Sequence, residues 1–114
     1  TKDTVFGRDD HRSYNRNGES FDKGETFSGV DYDLGLQAVD ALKKLFGTEN
    51  LVPYALRWIL MHDAVSAVIP GASKREQVLS NAKAADLPAL TAAQMSGVST
   101  VYDHYIRKTV HENW

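Results

Sequence analysis

The chain has 114 residues, 13 basic against 15 acidic side chains, a net charge of −2 and no cysteine. That balance gives no general attraction to nucleic acid or to an anionic membrane, and without thiols there is no disulfide, cysteine catalysis or Cys-ligated zinc. No apolar run approaches the ~20 residues that cross a bilayer, and no signal peptide or initiator Met opens the chain. A processed piece of a longer, cytoplasmic protein is the expectation.

Residues 1–29 are polar, with isolated Phe6, Tyr14, Phe21 and Phe27. Asn15-Arg16-Asn17-Gly18 and Lys23-Gly24 are turn signals, so this stretch reads as a loop. From Asp31 the period changes. Leu34, Ala38, Ala41 and Leu45 form one helical row and Leu36, Val39, Leu42 and Phe46 the next, which predicts a helix over 31–46 closed by Gly47. Asn50 as N-cap and Pro53 in the first turn predict a second helix to about Met61. Leu56, Ile59 and Leu60 read as core, Arg57 as paired with a carboxylate, Trp58 as packed, and His62 as a surface or C-terminal capping residue.

Val65 to Ile69 is short and nearly all apolar, as a parallel strand buried on both faces would be. One strand cannot satisfy its own backbone groups. Flanking strands must come from elsewhere, or the edge pairs with another copy. A Gly turn at Gly71 then leads to a helix from Lys74 to about Ala85, burying Val78, Leu79, Ala82 and Ala85. Ser73-x-x-Glu76 has capping-box spacing, which makes Ser73 the N-cap. Lys74 and Arg75 open that helix although its dipole disfavours cations there by roughly 0.3–1 kcal/mol each, so an anion is expected nearby. Ser73, Gln77 and Asn81 recur every four residues and share one face. A polar stripe at a helix N-terminus suits a phosphate-plus-base ligand, although a well-capped surface helix has the same spacing.

Leu87-Pro88-Ala89-Leu90 is a linker that packs its leucines. Thr91-Ala92-Ala93-Gln94 is a second capping box. The final helix carries Met95, Val98, Tyr102, Tyr105, Ile106 and Thr109 on one amphipathic stripe. His104 and His111 lie seven apart on one face, too few ligands for zinc, so no metal is expected. Trp114 is a candidate packing anchor.

Val68-Ile69-Pro70-Gly71-Ala72-Ser73, followed by Gln77 and Asn81, resemble the nucleotide-binding segment of the aldo-keto reductases. Ala55-Leu56-Arg57-Trp58 is similar to that family's helix before the last barrel strand. Asp9-Asp10-His11-Arg12 with Gly24-Glu25-Thr26-Phe27-Ser28-Gly29-Val30 resembles a loop of one bacterial branch, and Tyr105-Ile106-Arg107 to Val110-His111 and Trp114 a family C-terminus. The resemblance implies an α/β fold, a (β/α)8 TIM barrel of ~250 residues. This chain would be its C-terminal fragment, mostly helical in isolation with one short parallel strand. Residues 1–29 would be a loop over the barrel mouth, and 30–114 the last helices and last strand.

The same resemblance implies NADPH as cofactor. Ser73 Oγ and the first backbone N–H groups would meet the 2′-phosphate, with Lys74 or Arg75 adding charge-assisted bonds. Gly71 would let the backbone approach the ligand, and Gln77 and Asn81 would face the adenine. The implied cofactor set is Gly71, Ala72, Ser73, Lys74, Arg75, Gln77, Ser80 and Asn81. The implied activity is reduction of aldehydes or ketones to alcohols. The family's catalytic tyrosine, lysine, aspartate and histidine lie in the first half of the barrel. None maps onto this chain, and Tyr102, Tyr105 and His104 match no catalytic motif. The isolated chain is therefore expected to be inactive. Its partners would be the missing N-terminal part of the barrel and a small carbonyl substrate, and its exposed apolar faces would drive self-association. Two alternatives stay open: a non-catalytic, cofactor-binding regulatory relative, and a small helical interaction module. For the module, residues 50–85 resemble helix-turn-helix, but the net charge and the strand count against it.

Overall fold

A computed structural model describes residues 7–8 and 29–113 of the chain. The expected loop at 1–29, apart from Gly7, Arg8 and Gly29, lies outside the described residues, as does Trp114. The chain forms two compact units. Among the described residues, one comprises 7–8, 29–41 and 99–113 and the other 42–98.

Helix α1 is Tyr32–Phe46. It starts there because Asp31 Oδ1 accepts the N–H groups of Asp33 and Leu34 at 3.0 and 3.1 Å, satisfying two first-turn donors. It stops at Gly47, whose φ of 63° is left-handed. The Thr48 N–H then returns to the Lys43 carbonyl at 3.2 Å, as in a Schellman ending. Both ends agree with the sequence reading. In the first unit, Leu36 and Ala38 of this helix are buried, as are Val30 and Val110.

In the second unit, α2 is Val52–Leu60. Asn50 lies one residue outside the cap, which is Leu51, and still contributes by accepting the Val52 N–H at 3.3 Å. Phe46 and Tyr54 stack at 4.8 Å, and Trp58 meets His62 edge-on at 4.7 Å.

The strand expected at Val65–Ile69 is absent: no strand occurs among the described residues, and Ile69 is 96% exposed. A strand exists only through a ladder, and no described segment runs beside this one. Residues 65–72 remain an irregular connection to α3, Arg75–Ala82, which is followed by a 3-10 turn, Lys83–Asp86. The expected burial on this helix is also overturned. Val78 and Leu79 are 55% and 53% exposed, Ala82 and Ala85 are exposed, and the buried residue is Ala84 at 1%. The linker behaves as read, with Leu90 buried and Leu87 half-buried.

Helix α4, Ala92–Val101, opens on the expected capping box. The Thr91 N–H donates to Gln94 Oε1 at 2.9 Å and the Gln94 N–H to Thr91 Oγ1 at 3.2 Å. The expected continuous final helix is interrupted by a π turn, Tyr102–Ile106, in which the Arg107 N–H bonds the Tyr102 carbonyl. Helix α5, Arg107–Val110, and a 3-10 turn, His111–Asn113, follow. The extra residue in the turn advances the inward face. Val110 is buried at 3%, whereas Thr109 is exposed and donates its hydroxyl to the Ile106 carbonyl.

Gly97 of α4 faces Leu45. A Cβ at that position would lie 2.6 Å from Leu45 Cδ1, inside van der Waals contact. Gly97→Val should destabilise the chain by about 1–3 kcal/mol through overpacking, read as a lower urea midpoint.

Candidate functional site

The site begins at the junction of the connection 65–72 with α3. Lys74 holds extended angles, φ −139° and ψ 148°, and is the last residue before the helix. A lysine side chain has no acceptor and cannot cap N–H groups. The third helical residue, Gln77, does so by reaching back. Its Oε1 accepts the Ser73 N–H at 2.7 Å, the Ser73 hydroxyl at 3.2 Å and the Lys74 N–H at 3.2 Å. This corrects the sequence reading, in which Ser73 caps and Glu76 reciprocates. The helix starts one residue later, which moves the reciprocating position from Glu76 to Gln77.

One carbonyl oxygen thus gathers three donors. The next two backbone N–H groups, of Arg75 and Glu76, open the helix and have no partner within it. The side chains of Lys74 and Arg75 are exposed, and among the described residues neither forms an ion pair. The corner is electropositive and ready for an acceptor, and Gln77 provides one from within. Its carbonyl therefore points at the loop rather than being free for a base.

Beside this corner lies a cavity of ≈ 380 Å³. Leu56 and Leu60 of α2 form one wall, Val68, Pro70 and Ala72 of the connection another, and Val78, Asn81 and Ala82 of α3 a third. Ala84 and Ala85 complete it. Asn81, half-buried, is the one polar side chain among these residues. An apolar slot with one amide suits a flat heteroaromatic ring that needs a single edge recognised.

Arg57 fixes the spacing of these walls. Its Nε donates to the Pro88 carbonyl and its Nη1 to the Ala85 carbonyl, both at 3.3 Å. The expected carboxylate partner is replaced by these carbonyls at and just beyond the end of the 3-10 turn, where acceptors lack helical partners and a guanidinium can take two at once.

The eight residues singled out by sequence therefore divide. Ser73, Lys74 and Gln77 are brought together at the helix start, and Ala72 and Asn81 share the cavity wall. Gly71, Arg75 and Ser80 are exposed and join neither group. Gly71 has no left-handed φ, and a Cβ on it would meet nothing within 4 Å, so the chain itself does not require a glycine turn. The sequence reading missed the cavity's walls, Leu56, Leu60, Val68 and Pro70. Their signal was available as apolar residues flanking the polar stripe, but these look the same as core residues. Tyr102, His104 and Tyr105 belong to the other unit, where His104 meets the Tyr105 ring edge-on at 4.5 Å. Among the described residues, no group of three His, Asp or Glu could hold a metal ion, and no helix is long and apolar enough to cross a membrane.

A family model described as "Aldo/keto reductase family" matches residues 1–103. The chain belongs to the aldo/keto reductase family. No curated protein and no solved structure matches it. The family is one of oxidoreductases that generally use a nicotinamide dinucleotide, and its fold is a TIM barrel. Such a barrel needs about 250 residues, so these 114 residues are a fragment of the family's domain.

Gln77→Ala removes the acceptor for Ser73 and Lys74. It should destabilise the start of α3 by about 0.5–1.5 kcal/mol, seen as faster amide exchange at Val78 and Leu79 while amides of α4 are unaffected.

Proposed function

We propose that the chain is the nucleotide-binding end of an NADPH-dependent aldo/keto reductase that reduces aldehydes or ketones to alcohols. The observation that supports this most is the convergence of Ser73 N–H, Ser73 Oγ and Lys74 N–H on one oxygen atom. A phosphate oxygen satisfies the same three donors. It also gains the first-turn N–H groups of α3 and the charges of Lys74 and Arg75, which an amide oxygen cannot exploit. Gln77, displaced from the loop, then turns its amide outward with Asn81 toward the base. The slot bounded by Ala72 and Asn81 takes the adenine. Open space around Gly71 admits the ligand close to the backbone.

The cofactor supplies hydride to the carbonyl carbon when bound. The residues of this chain bind and orient its adenosine end, and the proton donor and its partners belong to the first half of the barrel. That half is the partner of this chain. It also supplies the strands that would flank residues 65–69 and the surface that covers Ile69, Val78 and Leu79, all more than half exposed here. Without it those side chains drive self-association. The reducing chemistry fits a cytoplasmic setting.

Calorimetric titration with 2′,5′-ADP and 5′-AMP tests the cofactor assignment. The ligand with the 2′-phosphate should bind more tightly, and Lys74→Ala with Arg75→Ala should erase that preference, a loss of about tenfold or more, ~1.4 kcal/mol. Equal affinities for the two ligands would overturn the NADPH assignment. The purified chain should show no NADPH-dependent reduction of an aldehyde such as 4-nitrobenzaldehyde. Measurable turnover would show that catalytic groups do lie within it.

A further inference from the structure

The π turn carries a side-chain cluster that the cofactor site does not use. Tyr102 Oη lies 2.9 Å from His111 Nδ1, and Arg107 Nη1 lies 3.0 Å from His111 Nε2. Arg107 also donates from Nε to Asp103 Oδ1 at 2.6 Å, and its guanidinium sits 5.2 Å from the centre of the Tyr102 ring. The protonation pattern follows from donor chemistry. A guanidinium has donors only, so His111 Nε2 must present its lone pair to Arg107. A neutral imidazole then carries its proton on Nδ1 and gives it to Tyr102 Oη. Both ring nitrogens are committed, and only the neutral Nδ1–H form fits.

We propose that His111 is a proton-operated latch that holds the C-terminal turn, His111–Asn113, against the π turn when neutral and releases it when protonated. Protonation places an N–H on Nε2, facing an Arg107 N–H at 3.0 Å. The acceptor is lost and two like charges are in contact. Arg107 stays with Asp103 and the Tyr102 face, so His111 is the group that leaves. Acid supplies that proton, so acid is the releasing condition. Among the described residues, the groups facing the imidazole are the Tyr102 hydroxyl and Arg107, with Asp103 behind the guanidinium. His104 turns to Tyr105, and Lys108 and Glu112 are exposed without a bond to the ring. Gly29, against Val110, brings no charge. π turns recur at functional positions because they re-aim side chains. Here the turn sets Tyr102 and Arg107 on either side of one histidine.

The test is nuclear magnetic resonance on the full 114-residue chain. At pH 8 the imidazole nitrogen shifts should report the Nδ1–H tautomer, and the Nε2–H tautomer overturns the proposal. Between pH 8 and pH 5 the order parameters of the His111 and Glu112 amides should fall from about 0.85 to below about 0.6. In His111→Gln, whose carbonyl oxygen can accept the Arg107 bond at any pH, they should stay high throughout. An unchanged wild type, an equal fall in the Gln variant, or a Gln variant loose at both pH values overturns the latch.

Discussion

The groove on which the nucleotide reading rests depends on one side chain. Arg57 leaves α2 and donates to two carbonyls, of Ala85 and Pro88. Leu56 and Leu60, next to it and one turn on, form one wall of the cavity, and Ala84 and Ala85 line the far side. No ladder joins these segments, because no strand occurs among the described residues. The guanidinium does the positioning that a neighbouring strand does in a complete sheet. At 3.3 Å and half-buried, each bond is on the weak side for a charged donor. Together they cross-link segments about thirty positions apart in sequence, closing the chain around the site.

The second organising feature is the doubling of roles at Gln77. A helix beginning on two cations starts from an unfavourable electrostatic position. The amide oxygen of Gln77 offsets this by satisfying Ser73 and Lys74 without adding a charge. The geometry that stabilises the helix start is also the geometry that an anionic oxygen would take over. The local fold and the candidate function thus draw on the same donors.

Periodicity and end chemistry were legible for α1 and for the start of α4. Asp31 and Gly47 bound α1, and Thr91 with Gln94 open α4. The strand at 65–69 was misread because its apolar run describes what the segment needs around it, and a ladder is a property of neighbours. Val78 and Leu79 failed for the same reason: a helical stripe gives direction, but not the surface it packs on. Arg57 was legible as a residue in need of acceptors, though not that they would be carbonyls, since orphan carbonyls are a consequence of where a turn ends. At the candidate site, spacing put Ser73, Gln77 and Asn81 on one face and the family resemblance implied the other residues, but neither showed the division into a donor cluster and a cavity wall. A shift of one residue in the helix start decided which side chain turned back. The π turn has no signature in periodicity; the Arg107 N–H bond to the Tyr102 carbonyl defines it, and Val110 is buried in place of Thr109.

Position 71 has a distinct property. Its glycine occupies ordinary backbone space, and a Cβ there meets nothing within 4 Å, so a series of growing side chains begins at alanine without a clash. Members of the series that leave the unfolding midpoint unchanged report on a complex alone. The side-chain volume at which affinity first drops would measure, in ångströms, the clearance between this stretch of backbone and whatever lies against it. Few sites allow recognition to be separated so cleanly from folding, and here the separation comes from a lack of contacts.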